Sequence, residues 1–389
     1  MARENERRRA VIVIPAYNEA GTIGRLIDIF LQEIFPKMSD WDMHILIVDG
    51  NSTDATKTIV AGKIGESGGK LHILNERAKS GLGAAYMKGF INAKYELSAD
   101  VVIEFDADFQ HPPEMVPLLL DKINEGYDCV LGSRKIVGGS ESADRARIRK
   151  FLTGFGGFLA RLILFFPGRN FGLVTDPTSG LRATRVRNIL DRIDLSPDHL
   201  ISKKFGYKVQ FLSEILAVGA RYIEIPLKFG ERVAGHSKFS PDTTFDILMS
   251  CFKTRLHQPP TIRFMRFAVV GFLGYVINAI FLAWLPKIIG IEPLIWLLST
   301  EAAIISNFIF NNIWTFRDNQ IRHFYTIVAK FIQFNITSAV ALLIQTVMGT
   351  IGVAVFGAGY RQIILIVVIV IAVVPCNWFL YNKIIWKNQ

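Results

Sequence analysis

The stretch Val102-Ile103-Glu104-Phe105-Asp106-Ala107-Asp108-Phe109-Gln110-His111-Pro112 decides the reading of this 389-residue chain. With Val101 in front of it, the run to Phe105 is β-branched and aromatic and predicts a buried strand. The strand ends in two carboxylates one residue apart, followed by an amide. Pro112 and Pro113 fix the next turn and suit the start of a helix. On extended backbone Asp106, Asp108 and Gln110 share a face at period two. Two hard anionic oxygens and a neutral one match what Mg²⁺ or Mn²⁺ takes, with waters and substrate phosphates completing the shell. The plainer reading, a solvated acidic turn, is disfavoured because a buried strand delivers the triplet to a sheet edge, where open α/β folds bind ligands.

Upstream, the pattern alternates strand and helix. Residues 10–15 predict a strand that Pro15 ends, followed by Tyr17, whose ring offers a face to a base, and Glu19, an acceptor for an amide edge or a ribose. By itself Glu19 reads equally as a first-turn acid favoured by the helix dipole. Residues 43–48 predict a second strand, and Asp49-Gly50-Asn51-Ser52-Thr53-Asp54 has the form of a nucleotide-binding strand-to-helix turn in which Asp54 is a cap. A third strand covers 71–74. The segment Lys79-Ser80-Gly81-Leu82-Gly83-Ala84-Ala85 then lacks the GxxxxGK[ST] pattern, so its glycines are assigned to close backbone passage under a nucleotide. Strands alternating with helices argue for a mainly parallel sheet.

Composition divides the chain. Residues 1–261 carry most of the charge, and 262–389 carry long apolar runs. The net charge of +10 is modest and falls partly beside the apolar segments, which points to anionic headgroups and phosphate ligands and excludes a nucleic-acid surface. Cys129, Cys251 and Cys376 are too scattered for a zinc site or a disulfide framework. The basic start, Met1 to Arg9, leads into no apolar h-region, so no signal peptide is expected.

These motifs carry a resemblance. VIVIPAYNE, VDGNSTDAT, KSGLGAA and DADFQHP resemble the inverting glycosyltransferases of the A-type nucleotide-sugar fold. Gly132-Ser133-Arg134, the DPTSGLRAT run from Asp176 and GERVAGHSKFS from Gly230 resemble dolichyl-phosphate mannose synthases and bacterial polyprenyl-phosphate glucosyltransferases. The resemblance spans residues 1–261. It implies a donor nucleotide-sugar site of Pro15, Tyr17, Glu19, Val48, Asp49, Asn51, Asp106, Ala107, Asp108, Arg232 and Lys238. The implied metal ligands are Asp106, Asp108 and Gln110. Arg134, Arg149, Thr153 and Ser237 are assigned to an acceptor lipid phosphate, and Asp108 and Arg232 are the expected catalytic residues. The implied reaction transfers a hexose, with GDP-mannose the favoured donor, to dolichyl or another polyprenyl phosphate; a UDP-glucose-dependent enzyme is the alternative. A processive polysaccharide synthase is disfavoured because the Gln-x-x-Arg-Trp motif is missing. No acid follows the metal motif as a base, which suits a phosphate acceptor that is already ionised.

The remaining segments point to a lipid bilayer. Arg145, Arg147, Arg149 and Lys150 precede a largely apolar run, 151–166, too short for the about 20 residues of a span. It is expected to lie in the interface with Arg161 snorkelling to headgroups. Lys203, Lys204 and Lys208 are expected on a solvated face. Residues 243–256 predict a second interfacial helix, so 1–240 is taken as the catalytic domain and 241–261 as a juxtamembrane linker. Four apolar segments follow, at 262–285, 293–316, 327–350 and 361–385, resembling the four-helix GtrA-like membrane domains. Flanking cations place both termini and the catalytic domain on the cytoplasmic side of the cell membrane. Arg266-Phe267 and Lys330-Phe331, with Asn307/Asn312 and Asn377/Asn382, suggest a duplicated hairpin. The fold expectation is therefore an A-type, Rossmann-like α/β domain followed by an all-α transmembrane domain.

Overall fold

The computed structural model describes residues 7–141, 147–168, 170–230, 241–289, 292–357, 360, 363, 367 and 369–385. They form two compact units, Met1–Arg255 and Leu256–Gln389.

The first unit is built on one seven-stranded sheet: β1 (Arg8–Ala16), β2 (Trp41–Asp49), β3 (Leu71–Asn75), β4 (Val101–Glu104), β5 (Cys129–Ser133), β6 (Arg182–Arg185) and β7 (Tyr222–Pro226), in the order β3-β2-β1-β4-β6-β5-β7. The pairs among β3, β2, β1 and β4 are parallel, as is β5 with β7. β6 runs antiparallel between β4 and β5. The sequence did not suggest β6, which lies at the end of the run that starts at Asp176. Arg-Ala-Thr-Arg lacks the apolar content of a central strand, and it is held there by a buried ion pair of Arg182 with Glu104.

Alternation at period two sorts β1 between two cores. Ala10, Ile12 and Ile14 meet helix α1 (Ile23–Asp28) and α4 (Met115–Asn124) on one face. Val11 and Val13 meet α3 (Leu82–Tyr95) and α7 (Tyr207–Ala217) on the other. The sheet is thus covered on both sides, as buried parallel strands require. Helix α2 (Thr56–Ile64) joins β2 to β3.

The glycines of the 79–85 segment serve packing. Gly81 has φ +101°, and a methyl there would meet the Lys203 carbonyl at 2.4 Å; one on Gly83 would meet Tyr207 Cβ at 2.6 Å. They let the start of α3 press against Lys203 and the first residue of α7.

Helix α5 (Arg147–Phe165) and α8 (Pro241–His257) cover the α7 side. Ala160, Leu164 and Phe165 of α5 and Cys251 of α8 share a cluster with Val209 and Leu212 of α7. Each outer helix keeps an exposed apolar stripe: Phe155, Phe158, Leu162 and the adjoining Phe166 on α5, and Phe245, Met249, Phe252 and Leu256 on α8. Arg161 departs from expectation. It donates to the Phe171 carbonyl at 2.9 Å and stacks on the Phe171 ring, so it fastens α5 to α6 (Asn170–Leu173) and does not snorkel.

The second unit contains α9 (Pro259–Trp284), α10 (Glu292–Phe310), α11 (Phe324–Phe356) and α12 (Val374–Leu380). Among the described residues, one stretch, Pro259–Ile277, is long and apolar enough to cross a membrane. The duplicated hairpin has a structural counterpart. A π turn follows α10 at Asn311–Thr315 and α12 at Tyr381–Ile385. Arg266 donates to the Trp314 carbonyl in the first turn, and Lys330 donates to the Ile384 carbonyl in the second. Phe267 packs on Trp378 as Phe331 packs on Phe308, the same contact with the halves exchanged.

Candidate active site

The carboxyl ends of β1, β2, β3 and β4 lie side by side and carry the acceptor groups. Beyond β4, Asp106 and Asp108 leave the sheet on a tight turn in which Phe109 has φ +64°. Asp108 is 7% exposed, and its Oδ1 accepts the Gln110 backbone N–H at 3.1 Å. Asp106 is more open. Its Oδ1 accepts the Tyr86 hydroxyl at 3.0 Å, and Lys208 Nζ and His111 Nε2 each stand 3.8 Å from its Oδ2. His111 is buried and its Nδ1 accepts the Asp106 N–H, which places its proton on Nε2, towards the carboxylate. Burial holds the His111 imidazole down at about 4 against the pull of Asp106, so it is neutral near pH 7. Burial, reinforced by the neighbouring carboxylates, pushes the Tyr86 phenol up, so it remains a donor.

Lys208 corrects an expectation. It is 7% exposed, and it passes over Gly180, where a methyl would meet its Nζ at 2.2 Å. Its spacing from Lys203 and Lys204 suggested a solvated face, but α7 begins only at Tyr207 and turns Lys208 inward.

At the next strands, Pro15 and Ala16 end β1, and Val48 and Asp49 end β2. Asp49 is fully buried. Its Oδ2 accepts the Ser52 N–H at 3.0 Å and lies 3.4 Å from Lys57 Nζ, while its Oδ1 has no hydrogen-bond partner among the described residues. Asn51 has φ +62° and its Oδ1 accepts from Lys57. Asp54 caps the turn as expected: it accepts the Thr56 N–H and also the Ala20 N–H, tying the two loops together. The Glu19 N–H donates to Thr56 Oγ1. Lys79 Nζ sits 3.8 Å above the Tyr17 ring, so one face of that ring already carries a cation. Ala107 is buried under the acidic turn.

Arg134 is 8% exposed at its side chain. Its Nε and Nη2 form a fork on Asp176 at 2.7 Å each, and Nη2 also reaches Thr178. Burial opposes both charges, yet the pairing holds Asp176 below the usual carboxylate range and Arg134 above its ordinary value. An anion reaching Arg134 would share the guanidinium with Asp176. Arg149 and Thr153 stand on the first turns of α5, and their side chains lie outside the described residues. Arg232, Ser237 and Lys238 also lie outside them.

The glycosyl transferase family 2 profile matches residues 11–185, which spans β1 to β6, and the GtrA/DPMS transmembrane domain profile matches residues 266–386. The chain is 30% identical to a dolichol-phosphate mannosyltransferase of Pyrococcus furiosus over 82% of its own length and 84% of that protein. The chain belongs to glycosyl transferase family 2. It is also 36% identical to an undecaprenyl-phosphate mannosyltransferase of Micrococcus luteus, over 60% of this chain and 88% of that one. Among solved structures, mannosyl-3-phosphoglycerate synthase of Rubrobacter xylanophilus aligns at 18% identity and TM-score 0.47, over 64% of this chain and 74% of that one. The protein is thus a glycosyltransferase carrying a membrane domain.

Three groups at the rim of this glycosyltransferase escaped the sequence reading. Tyr86 sits inside a helix pattern and Lys208 inside a lysine cluster, with nothing local to mark either. Glu76, one residue past β3, is 7% exposed and binds Lys88 at 2.6 Å; a lone acid at a strand end was its only signal.

Proposed function

We propose that the protein transfers mannose from GDP-mannose to dolichyl phosphate, or a closely similar polyprenyl phosphate, at the cytoplasmic leaflet. The observation that carries this reading is the rim itself: Tyr17, Asp49 and the Asp106–Asp108 pair stand on neighbouring strand ends of one sheet. The polyprenyl-phosphate mannosyltransferases among the relatives supply the sugar and the acceptor class.

The chemistry of the donor set fits a divalent ion. Two carboxylates with an amide beside them is the short ligand list that Mg²⁺ or Mn²⁺ uses when phosphates and water complete its shell. Asp106, Asp108 and Gln110 would hold it, and it would supply positive charge to the departing diphosphate. Tyr17, Glu19 and Asp49, with Pro15, Val48, Asn51 and Ala107 framing them, would hold the nucleoside. Arg232 and Lys238 would meet the diphosphate or the incoming phosphate, and Arg149, Thr153, Ser237 and the shared Arg134 the acceptor. A phosphate oxygen of the lipid then forms the new bond to the anomeric carbon as the bond to the diphosphate breaks, and the carbon inverts. Tyr86, by its hydrogen bond, and His111, through its bond from the Asp106 N–H, hold the Asp106 carboxylate in place.

The exposed aromatic stripes of α5 and α8 support a surface position, since amphipathic helices bury such faces at the headgroup boundary. The cations flanking the apolar segments favour cytoplasmic termini.

The test offers purified full-length protein a panel of labelled nucleotide sugars with dolichyl and undecaprenyl phosphate, with and without Mn²⁺. Mannosyl-lipid formed from the guanosine donor alone, and only with the ion, is the expected result. Glucose transfer from a uridine donor would replace this reading.

A further inference from the structure

We propose that Glu76 is the nucleobase-selecting residue of this glycosyltransferase, accepting from the N–H edge of guanine. This deepens the donor-site reading above and rests on it.

The sheet order places β3 at the end of the row β3-β2-β1-β4. With strands about 4.8 Å apart, the end of β3 lies some three spacings from the acidic turn after β4. A nucleoside diphosphate whose phosphates face Asp108 therefore extends its base towards β2 and β3. At that end Gly50 marks a small recess. A methyl built on it would stand 3.5 Å from the Ala16 carbonyl, 3.6 Å from Tyr17 Cδ2 and 3.7 Å from Glu76 Oε2, so an aromatic edge and a carboxylate converge there. The Glu76 N–H donates to the Asp49 carbonyl and fixes this residue beside the end of β2.

The two oxygens of Glu76 differ. Oε1 accepts from both Lys88 Nζ and Ser80 Oγ, while Oε2 is the one turned to the Gly50 recess. Asp49, fully buried next door, keeps its Oδ1 without a partner among the described residues. The recess thus presents a carboxylate oxygen of Glu76 and the Ala16 carbonyl, both acceptors, and calls for a ligand edge made of donors. Guanine offers two adjacent ones, its ring N1–H and its 2-amino group. Uracil offers one N–H between two carbonyl oxygens, which a carboxylate repels, and adenine presents a ring acceptor at the matching place. Acceptors that are buried and left unmatched reject the wrong partner strongly.

The experiment titrates the full-length protein in detergent with GDP, IDP and UDP by calorimetry, IDP being GDP without the 2-amino group. The wild type is expected to bind GDP about tenfold or more tighter than IDP. In Glu76→Gln that ratio should fall to about threefold or less while UDP affinity holds or rises. The double variant Glu76→Gln with Lys88→Met leaves no lysine stripped of its carboxylate partner and must show the same lost discrimination, which separates recognition from misfolding. A GDP/IDP ratio unchanged in folded Glu76→Gln overturns the assignment and leaves the donor site standing. Failure of all three nucleotides to bind the wild type overturns the donor-site reading and this proposal together.

Discussion

Glu104 and Asp106 lie two residues apart on one strand and its extension, yet they do different work. Glu104 is 1% exposed: Arg182 binds its Oε1 at 2.7 Å, Tyr207 donates to its Oε2 at 2.9 Å, and the Arg182 guanidinium lies over the Phe211 ring. Asp106, at the rim, has a quarter of its side chain open, and its lysine stands 3.8 Å away. A tyrosine serves each acid, and the two rings, Tyr86 and Tyr207, stack 5.4 Å apart. An acid inside the sheet is consumed by the fold, whereas one a single pleat further on, where strand pairing ends, keeps capacity for a ligand. Desolvation makes this division compulsory, since a buried carboxylate without partners costs several kcal/mol.

Exchanging the losses is the sharpest way to break this comparison. Asp108→Ala should lower mannosyl transfer by about 10³-fold or more, because charge placed at a departing diphosphate is worth several kcal/mol of barrier. Its urea midpoint should match the wild type. Glu104→Ala should do the reverse: it strands Arg182 in the core and should cost about 3–5 kcal/mol in chemical denaturation. A Glu104→Ala protein of native stability would dissolve the distinction, as would an Asp108→Ala protein of native activity.

The sequence carried the sheet to within a residue or two at β1 to β4, since period-two alternation bounded by Pro15, Gly50 and Pro112 leaves little freedom. It also carried the acidic turn, because a carboxylate pair at a strand end has few purely structural uses. β6 stayed hidden because its stability comes from Arg182 meeting Glu104, a contact across 78 positions that no local pattern encodes. The partner of Arg134 was hidden for the same reason: Asp176 arrives from 42 residues downstream. Lys208 was misread because helical phase is undefined before the helix starts.

Lys208 allows a finer test of the rim. A cation near Asp106 competes with a divalent ion for the same carboxylate, and at about 4 Å the interaction is worth a few kcal/mol at most. Lys208→Met should tighten Mn²⁺ binding to nucleotide-free protein by about tenfold, read by the loss of the free-ion electron paramagnetic resonance signal. Weaker binding in this variant would mean that Lys208 supports the rim by positioning Asp106.

The smallest expected effect lies at the opposite end of the sheet. His44 on β2 and His72 on β3 share a contact, Nδ1 to Nε2 at 3.0 Å, with Asp42 at the other nitrogen of His44. Burial, opposed by Asp42, lowers the pKa of His44 below 6.5; burial and Arg9 lower that of His72. The unfolded chain then takes up protons near pH 6.5 while the folded one does not, so stability is fully present above that pH and declines as pH falls below it. His72→Asn should flatten this decline in urea midpoints measured downward from pH 7, while leaving the pH profile of transfer unmoved, since both rings sit at the far ends of strands whose other ends carry the proposed donor site. A transfer profile that shifted with His72→Asn would mean that the two ends of the sheet are coupled, and would remove the separation between fold-keeping and ligand-keeping charges on which the comparison of Glu104 with Asp106 depends.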